Sequence, residues 1–589
     1  MDIFGVLTMI GGLALFLYGM TVMGDSLSKA SGGKLEKILE KLTSNPMKAV
    51  LLGAGVTAVI QSSSATTVMV VGFVNSGIMK LSQAIGIIMG ANIGTTITSW
   101  ILSLSGIEGG NLFTNLLKPT SFSPILAVIG IGMLMFSKNE KRHNIGNVLL
   151  GFAVLMFGMD TMSSAVKPLA DVPEFTNILL MFKNPILGIA AGALLTAVIQ
   201  SSSASVGILQ ALCVTGAISY SSAIPIILGQ NIGTCVTAMI SCIGSNKNAR
   251  RAALVHLYFN IIGTTLFMVL FYVLNAIIKF DFYNEPATAA GIAVVHSVFN
   301  IFATVVLLPF SKGLEKLAYL TIKDDPQTIA AAEEISDLLY LDNRFLDRPG
   351  LAIAQCKKVA VHMAEMAQRG LDLAMGLIDD YHEEAAEKVV ALENQVDHYE
   401  DQLGTYLVKL SSKYLSQKDS RMLSIILHNI SDFERISDHA VNIMESAKEM
   451  HEKELKFSTK AQKELMVFTA AIREIVDKAV TVFKNDDSDL AEYVEPLEEV
   501  VDRLQNELKK RHIKRLRNGK CTIEMGFILS DFTTNFERVA DHCSNIAVCL
   551  LQVQEDGYDV HEYLDVLRQS DDEKYKNNVI AYAKKYALP

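Results

Sequence analysis

The first 310 residues alternate between long apolar segments and short polar loops, a pattern typical of a chain that crosses a membrane several times. Crossing a bilayer takes about 20 residues of helix. Seven apolar segments approach or exceed that length, near residues 3–23, 84–104, 122–137, 146–162, 223–243, 251–278 and 288–310. The pattern predicts seven spanning helices, of which the third and fourth are short.

Two further apolar stretches, residues 46–79 and 185–219, are each interrupted by four adjacent polar residues. The apolar arms on either side have about 15 residues, too few for a full span. Irregular backbone at membrane depth is tolerated only where it lines protein or a water-filled cavity. We therefore predict two re-entrant helical hairpins with polar tips. The tips are Gln61-Ser62-Ser63-Ser64 and Gln200-Ser201-Ser202-Ser203.

The two interrupted stretches belong to one sequence that is repeated at a constant offset of 139 residues (200 − 61). About 26 of the 59 residues from 45 to 103 are identical to their partners in the second copy, which indicates an internal duplication. The repeats cover about residues 1–105 and 140–245. Each copy also contains an Asn-Ile-Gly-Thr segment, which begins at Asn92 in the first and at Asn231 in the second.

The positions of the basic residues predict that the two repeats are inverted. Cytoplasmic loops of membrane proteins are enriched in lysine and arginine. Basic residues follow the first span and fill the loops at 138–142 and 247–251. Placing these three segments in the cytoplasm makes the first span run inward and its repeat partner, 146–162, run outward. Inverted repeats whose broken helices meet near the midplane are typical of secondary transporters.

The chemistry of the tips suits a multivalent oxyanion. Serine hydroxyls and glutamine amides both donate and accept hydrogen bonds, and a helix that starts at a tip adds free backbone N–H groups. Neither tip has a lysine or arginine nearby, so we expect a cation to bind with the anion. The alternative is that these residues pack against neighbouring helices. Sodium prefers hard oxygen ligands, and the candidates are Asn92, Thr95, Thr96, Asn231 and Thr234.

Two similar stretches follow the second repeat. His256 and Asn260, like His296 and Asn300, lie four residues apart and therefore on one helix face. We favour a structural role behind the site for these residues, with part of a proton or cation path as the alternative.

The doubled Gln-Ser-Ser-Ser motif, the Asn-Ile-Gly-Thr segments and Arg250-Arg251-Ala252 leading to His256 resemble the type II sodium-dependent phosphate cotransporters and their bacterial relatives. The resemblance covers residues 1–310. Cys235 departs from the family because it replaces a threonine that the first repeat keeps as Thr96, so the sodium stoichiometry stays open. The resemblance implies phosphate bound by Gln61, Ser62, Ser63, Gln200, Ser201 and Ser202. It implies sodium held by Ser64, Asn92, Thr95, Ser203, Asn231 and Thr234.

The charge balance changes after residue 310. Residues 1–310 contain 16 Lys+Arg and 11 Asp+Glu, which leaves 36 and 51 of the chain's 52 and 62 for the rest, or net charges of +5 and −15. We predict a membrane domain at 1–310, a connector at 311–339, a soluble helical domain at 340–575 and a tail at 576–589. The overall charge of −10 and the few aromatic residues give no support for nucleic acid as a partner.

Four Glu-x-x-x-Asp pairs recur in the acidic half, two of them within a repeated Phe-Glu-Arg-x-x-Asp-His sequence. Carboxylates four residues apart share a helix face and repel each other unless a cation lies between them. Two such faces in a bundle can form an all-oxygen site for magnesium, manganese or iron. The alternative is a solvated face neutralised by Arg435 or Arg538. The carboxylates are Glu393, Asp397, Glu434, Asp438, Glu498, Asp502, Glu537 and Asp541.

The acidic half resembles the PhoU family, phosphate-signalling proteins built from two three-helix bundles whose Glu-x-x-x-Asp motifs can carry metal clusters. Together the resemblances imply an all-α protein of the bacterial cytoplasmic (inner) membrane, with two inverted repeats in the bilayer and a cytoplasmic PhoU-like domain. The implied function is sodium-coupled transport of inorganic phosphate, not enzymatic catalysis. The alternatives are a phosphate exporter, a carrier of another oxyanion, or a membrane sensor without transport. A homo-oligomer is also open.

Overall fold

The computed structural model describes residues 3–31, 45–106, 119–137, 139–172, 181–323, 337–554 and 573–589. These residues fall into two compact units, 1–335 and 336–589. In the described ranges they form α-helices and short 3-10 turns, with one isolated β-bridge between Ser219 and Pro286. This confirms the predicted all-α class.

The first unit is built from membrane-spanning and shorter helices. Among the described residues, six stretches are long and apolar enough to cross a bilayer: Ile3–Leu27, Leu81–Ser103, Lys141–Leu169, Tyr220–Ser241, Lys247–Ile278 and Ala289–Thr321. The described helices are α1 (Ile3–Ser31), α2 (Pro46–Ile60), α3 (Ser63–Asn75), α4 (Leu81–Ser103), α5 (Pro119–Phe136), α6 (Glu140–Val166), α7 (Pro185–Ile199), α8 (Ser202–Cys213), α9 (Tyr220–Ser241), α10 (Lys247–Ile278), α11 (Ala289–Leu307) and α12 (Ser311–Thr321). The 3-10 turns are Leu104–Gly106, Lys167–Asp171, Asp281–Asn284 and Leu308–Phe310.

Helix ends differ from the predicted segments where polar residues extend a helix. The segment predicted at 146–162 is the middle of α6, which has 27 residues and a polar first turn. Asn139 caps α6 because its Oδ1 accepts hydrogen bonds from the backbone N–H groups of Lys141 and Arg142 at 3.0 and 3.3 Å. The segment at 122–137 corresponds to α5, which has 18 residues. The connector predicted at 311–339 begins with the helix α12, and its residues 324–336 lie outside the described part of the chain.

The two interrupted stretches form helical hairpins, α2–α3 and α7–α8, as predicted. Their first arms pack closely on the next long helix. A Cβ atom at Gly53 would lie 2.2 Å from the backbone O of Ile87, and one at Gly192 would lie 2.1 Å from the backbone O of Ile226. Both contacts are related by the 139-residue offset, so glycine permits the same close packing in both repeats.

The helices α1 and α6, which begin the two repeats, cross each other through glycines. A Cβ atom at Gly12 would lie 2.9 Å from the backbone N of Met162. At Gly151, the repeat partner of Gly12, a Cβ atom would lie 2.8 Å from the backbone N of Met23, the repeat partner of Met162. Helices that exchange contacts in this reciprocal way are antiparallel and related by a two-fold axis. The two repeats therefore have opposite orientations, which confirms the predicted inverted topology.

The second unit consists of two three-helix bundles, as predicted. The helices α15 and α18 join the bundles through reciprocal hydrogen bonds at 2.8 Å, from His439 Nδ1 to Asn535 Oδ1 and from His542 Nδ1 to Asp432 Oδ1. Residues predicted as a tail include most of α19, which packs on α17. The helices are α13 (Pro349–Leu377), α14 (Glu383–Ser411) and α15 (Gln417–Glu452) in the first bundle, then α16 (Thr459–Asn485), α17 (Val494–Arg517), α18 (Ile523–Gln554) and α19 (Glu573–Lys585). Shorter turns lie at Asp337–Tyr340, Asn343–Phe345 and Ser488–Ala491.

Candidate functional site

Both hairpins turn at a glutamine in the left-handed backbone conformation. Gln61 ends α2 with φ 59° and ψ 20°, and Gln200 ends α7 with φ 58° and ψ 21°. Residues other than glycine rarely adopt this conformation, and when they do it often marks a functional site. The next residue caps the following helix: the Oγ atoms of Ser62 and Ser201 accept hydrogen bonds from the backbone N–H three residues on, at 3.1 and 3.2 Å.

The N-termini of α3 and α8 meet at the two-fold axis. The Oγ atoms of Ser63 and Ser202, the first residues of these helices, lie 3.5 Å apart, and both side chains are buried. The first N–H groups of a helix have no acceptor inside it. Within the described ranges, no residue accepts a hydrogen bond from the backbone N–H of Ser63, Ser64, Ser202 or Ser203. Both helix dipoles also point their positive ends at this place.

The segments that form the tips carry few charges. Across residues 45–106 the charged residues are Lys48 and Lys80, and across residues 181–246 the charged residue is Lys183. All three are exposed. An anion between the tips would therefore receive hydrogen bonds but no ionic partner from these segments, which favours a cation bound beside it.

The sodium candidates Asn92 and Asn231 lie on α4 and α9 and have different partners. Asn92 Nδ2 donates to Asn260 Oδ1 on α10 at 2.8 Å, whereas Asn231 Nδ2 donates to a backbone O of its own helix at 3.1 Å. The hydroxyls of Thr95 and Thr234 donate to backbone O atoms four residues earlier, both at 3.0 Å. Each of these donor groups is hydrogen-bonded to an acceptor within the protein. The amide and hydroxyl oxygens therefore keep lone pairs for a cation.

The remaining sodium candidates, Ser64 and Ser203, are the second residues of α3 and α8, next to the serines that meet. Among the described residues, Ser63 and Ser202 are the predicted site residues of different repeats that lie within hydrogen-bonding distance of each other. The structure thus brings the tips together and places the sodium candidates on four surrounding helices.

The two tips differ in how their glutamines are held. Gln61 is 6% exposed; its Oε1 accepts a hydrogen bond from Thr98 Oγ1 at 2.9 Å, and its Nε2 donates to the backbone O of Ala58. Gln200 is exposed. Thr237, the repeat partner of Thr98, has a buried hydroxyl with no partner among the described residues. Thr98 is absent from the predicted site, although the threonine occurs in both repeats at the 139-residue offset.

The arms of the hairpins differ in the same sense. In the first hairpin Thr57 Oγ1 donates to Thr66 Oγ1 at 3.0 Å and joins α2 to α3. At the equivalent positions of the second hairpin, Thr196 and Ser205 have buried hydroxyls that no described residue contacts by a hydrogen bond. An exposed glutamine at membrane depth is stable when it faces water rather than lipid. Among the described residues, the first tip is therefore held by more side-chain hydrogen bonds than the second.

The helices α10 and α11 pack behind the tips and follow the same two-fold relationship. The first contacts α3, α4 and α9, and the second contacts α8, α9 and α4. On α11, His296 Nδ1 and Ser99 Oγ lie 2.7 Å apart. On α10, His256 is fully buried and neither ring nitrogen has a partner among the described residues. Ala238, the repeat partner of Ser99, has no hydroxyl that could bond a histidine.

The eight predicted carboxylates of the second unit divide between the two bundles. In the second bundle, Glu498 and Asp502 of α17 meet Asp541 of α18, with one oxygen from each within 4.8 Å of the others. Arg538 Nη1 lies 3.9 Å from Asp541 Oδ2, but its side chain is 61% exposed, so it neutralises the cluster weakly. In the first bundle, burial and the charges of Asp438 and Asp397 raise the pKa of Glu393.

The pKa values of the clusters show crowded negative charge. Burial, followed by repulsion from Asp438, raises the pKa of Glu434 to about 7. Burial, followed by repulsion from Glu537 and Asp502, raises the pKa of Asp541 to about 6. Carboxylates held in this way gain from a cation that lies between them. The all-oxygen donor set therefore fits a hard divalent cation or iron.

Known families match both units. Residues 15–164 and 154–299 each match the profile of the Na+/Pi-cotransporter family, and residues 360–447 and 468–550 match that of the PhoU domain. The two matches of each profile agree with the internal duplications. The fold and the tips thus define a membrane protein of the phosphate-transporter class. The chain belongs to the Na+/Pi-cotransporter family and carries a C-terminal PhoU domain.

Individual relatives match either nearly the whole chain or one of its parts. The "Putative inorganic phosphate export protein YjbB" of Salmonella typhimurium is 23% identical over 566 residues, which cover 95% of this chain and 99% of that protein. The uncharacterized protein YqeW of Bacillus subtilis is 28% identical over 53% of this chain and 96% of its own length. Rat sodium-dependent phosphate transport protein 2A is 40% identical over 99 residues, 16% of this chain and 15% of that protein. The crystal structure of PhoU from Pseudomonas aeruginosa covers 34% of this chain and 97% of its own, at 20% identity and a TM-score of 0.33.

Proposed function

We propose that this chain carries inorganic phosphate across the bacterial cytoplasmic membrane by alternating access, coupled to sodium, and that the PhoU domain regulates the transport. The observation that carries the proposal is the meeting of two helix N-termini at Ser63 and Ser202. Phosphate oxygens accept hydrogen bonds from the serine hydroxyls and backbone N–H groups of both repeats. The two glutamines and the capping serines, Gln61, Gln200, Ser62 and Ser201, complete the shell.

Sodium supplies the charge that the tips lack. Lys48, Lys80 and Lys183 lie at exposed helix ends, so a phosphate at the tips needs cations that arrive with it. The oxygens of Asn92, Thr95, Asn231 and Thr234, with those of Ser64 and Ser203, form the donor set. Binding of the anion and of the cation then favours each other by electrostatic attraction, which couples their movements.

The difference between the hairpins supports alternating access. In the proposed cycle, the bond from Thr98 to Gln61 belongs to a closed first tip, and the exposed Gln200 belongs to an open second tip. Inverted repeats allow the two hairpins to exchange these roles, because each has the residues that the other uses. Thr237 then closes on Gln200, and phosphate leaves past Gln61.

The topology proposed for the cell places the C-terminal unit in the cytoplasm. The loops rich in lysine and arginine mark the inner side of the membrane, and residue 311 onward follows from that side. In the PhoU domain, the carboxylate clusters bind divalent metal or iron and report phosphate status. The cluster at Glu498, Asp502 and Asp541 supports this role.

The direction of transport depends on gradients and regulation. The relative from Salmonella typhimurium is named for export and the rat relative for sodium-dependent transport. The open second tip fits either direction, since it belongs to one state of a cycle. A sensor without transport is disfavoured because both repeats keep the same tip residues.

Flux of labelled phosphate in proteoliposomes tests the proposal. The wild type, with a sodium gradient in either direction or none, is compared with Gln200→Ala/Ser201→Ala. The matched control is Ser82→Ala/Gln83→Ala, which removes the same residue types outside the tips. We expect sodium-dependent flux in the wild type and the control, and none in the tip variant. Flux that does not depend on sodium would contradict the sodium coupling. Flux that persists in the tip variant would contradict the assigned site.

A further inference from the structure

We propose that one end of the PhoU unit binds an anionic lipid surface. This basic end consists of the C-terminal half of α17, the turn after it and the first residues of α16. Residues 509–520 contain seven lysines and arginines and no acidic residue, within a half of the chain whose net charge is −15. Such a concentration of positive charge opposes the average of the domain and points to an anionic partner.

Contacts place these segments together. Buried Glu464, on the first turns of α16, accepts hydrogen bonds from Arg511 Nη1 at 3.1 Å and from Arg515 Nη1 on α17. The start of α18 lies at the same end, because a Cβ atom at Gly526 would lie 2.8 Å from His512 Nε2. Arg511 also donates to Glu507 Oε1 at 3.2 Å and to the backbone O of Pro589 at 2.7 Å, so both arginines are paired and the excess positive charge of the basic end lies on its other cations.

The exposed cations at this end have no partner. Among the described residues, no ion pair or hydrogen bond engages the charged groups of Lys460, Lys463, Lys510, Lys514, Arg517 and Lys520. The acidic groups near these segments include Glu464 and Glu507, which pair with arginine, and Glu449 and Glu524, which lie near Lys453 at the end of α15. A pair-free cation is hydrated and can exchange that hydration for lipid phosphates.

One helix face combines charge with exposed apolar area. Lys510, Ile513, Lys514 and Arg517 follow the spacing i, i+3, i+4, i+7 and therefore lie on one side of α17. All four are exposed, and Ile513 is 51% exposed. Ile523 and Phe527, 65% and 68% exposed, lie on the adjoining start of α18. Basic residues interleaved with apolar ones suit the surface of a bilayer, where phosphates meet hydrocarbon.

The chain itself keeps such a surface close. The first unit spans a membrane, and residues 324–336 join it to the second, which fixes the PhoU unit near the bilayer at a high effective concentration. Each lysine near an anionic surface contributes about 1 kcal/mol, so several weak contacts are enough for a tethered domain. A soluble acidic protein or polyphosphate would need to compete with that permanent neighbour.

Fluorescence of one tryptophan in the full-length protein tests the proposal. The chain has a single tryptophan, Trp100, so Trp100→Phe with Ile513→Trp creates a unique reporter on the basic face. The protein is placed in nanodiscs of neutral lipid, or of neutral lipid with about one-third anionic lipid. Brominated acyl chains quench a tryptophan that inserts among them.

We expect strong quenching in the anionic discs, little in the neutral discs, and loss of quenching at high salt. Lys510→Gln/Lys514→Gln lowers the ratio of bound to free domain by about 30-fold, the effect of two lysines. Lys409→Gln/Lys418→Gln removes two exposed lysines near the α14–α15 turn and leaves the quenching unchanged. Equal quenching in both lipids, no quenching in either, or the same loss in both double variants would overturn the proposal.

Discussion

Ser63 and Ser202 are 139 residues apart in the sequence, and their Oγ atoms lie 3.5 Å apart between two helix N-termini. Each serine belongs to a different repeat, and the repeats have opposite orientations. Under the proposed function, one binding site is therefore made from two copies of the same hairpin, which gives the polar motif a role in both repeats.

The glycines under the hairpins are predicted to be required for folding of the first unit. Gly53→Ala would place a Cβ atom 2.2 Å from the backbone O of Ile87, a distance that forces α2 away from α4. We expect a lower yield of folded protein, a lower melting temperature and loss of phosphate flux. The control is Gly55→Ala on the same helix, where a Cβ atom would meet nothing within 4 Å. Equal behaviour of the two variants would contradict the close packing.

Asn260 is predicted to position the sodium candidate Asn92. Asn260→Ala removes the acceptor for Asn92 Nδ2, now bonded at 2.8 Å, and leaves a buried donor unpaired. A loss of about 1–3 kcal/mol would raise the sodium concentration for half-maximal flux by roughly 5- to 150-fold. Thr265→Ala, an exposed residue of α10 that bonds its own helix, serves as the control. An unchanged sodium dependence in Asn260→Ala would show that Asn92 needs no support.

His256 is predicted to form a hydrogen bond with a serine hydroxyl, which the second repeat lacks. Ala238→Ser places a serine at the position equivalent to Ser99 of the first repeat. The Oγ of Ser99 lies 2.7 Å from His296 Nδ1. A new buried hydrogen bond of about 1 kcal/mol should raise the melting temperature by a few degrees. Ser99→Ala should lower it, since His296 then loses its partner. Destabilisation by Ala238→Ser would argue that a water or ion occupies the place beside His256.

The first carboxylate cluster predicts a pH dependence of stability without metal. Burial and Asp438 raise the pKa of Glu434 to about 7, above the value of about 4.3 expected in an unfolded chain. The folded state therefore holds this proton more tightly. Its contribution to stability is complete below pH about 4 and is lost as the pH rises through about 7. Divalent metal should restore stability at high pH, because metal binds the ionised carboxylates.

Melting temperatures in the presence of a chelator measure this effect. Glu434→Gln should flatten the dependence on pH, since glutamine needs no proton. Glu445→Gln, an exposed glutamate of the same helix, should leave the dependence as it is in the wild type. A stability that rises with pH in the chelated wild type would contradict the raised pKa.

The architecture could be read from the sequence because duplication and hydropathy are both local in the chain. The 139-residue offset located both hairpins. The basic loops predicted the inverted orientation, which the crossing of α1 and α6 at Gly12 and Gly151 confirms. The helix ends were less predictable. The hydropathy pattern detects the apolar middle of α6. The start of the helix at Glu140 is set instead by Asn139, which caps a polar first turn.

The state of the site could not be predicted from the sequence. Gln61 and Gln200 are identical in both copies, and the sequence does not say which tip closes. The difference lies in tertiary contacts, such as that of Thr98 with Gln61, which the repeat partners Thr237 and Gln200 do not make. The grouping of the eight carboxylates into two clusters likewise depends on which helices pair within each bundle.

Solid-state NMR of the bound anion tests the central claim most directly. Protein with 15N-labelled serine is loaded with phosphate, and the 31P–15N dipolar coupling is measured. If phosphate lies between the tips, backbone nitrogens of Ser63 and Ser202 donate to its oxygens and lie within about 4 Å of phosphorus. The account predicts a strong coupling that is weakened in Ser202→Ala, which removes one of the labelled amides at the tips. A bound phosphate with no coupling to serine nitrogen would contradict the site.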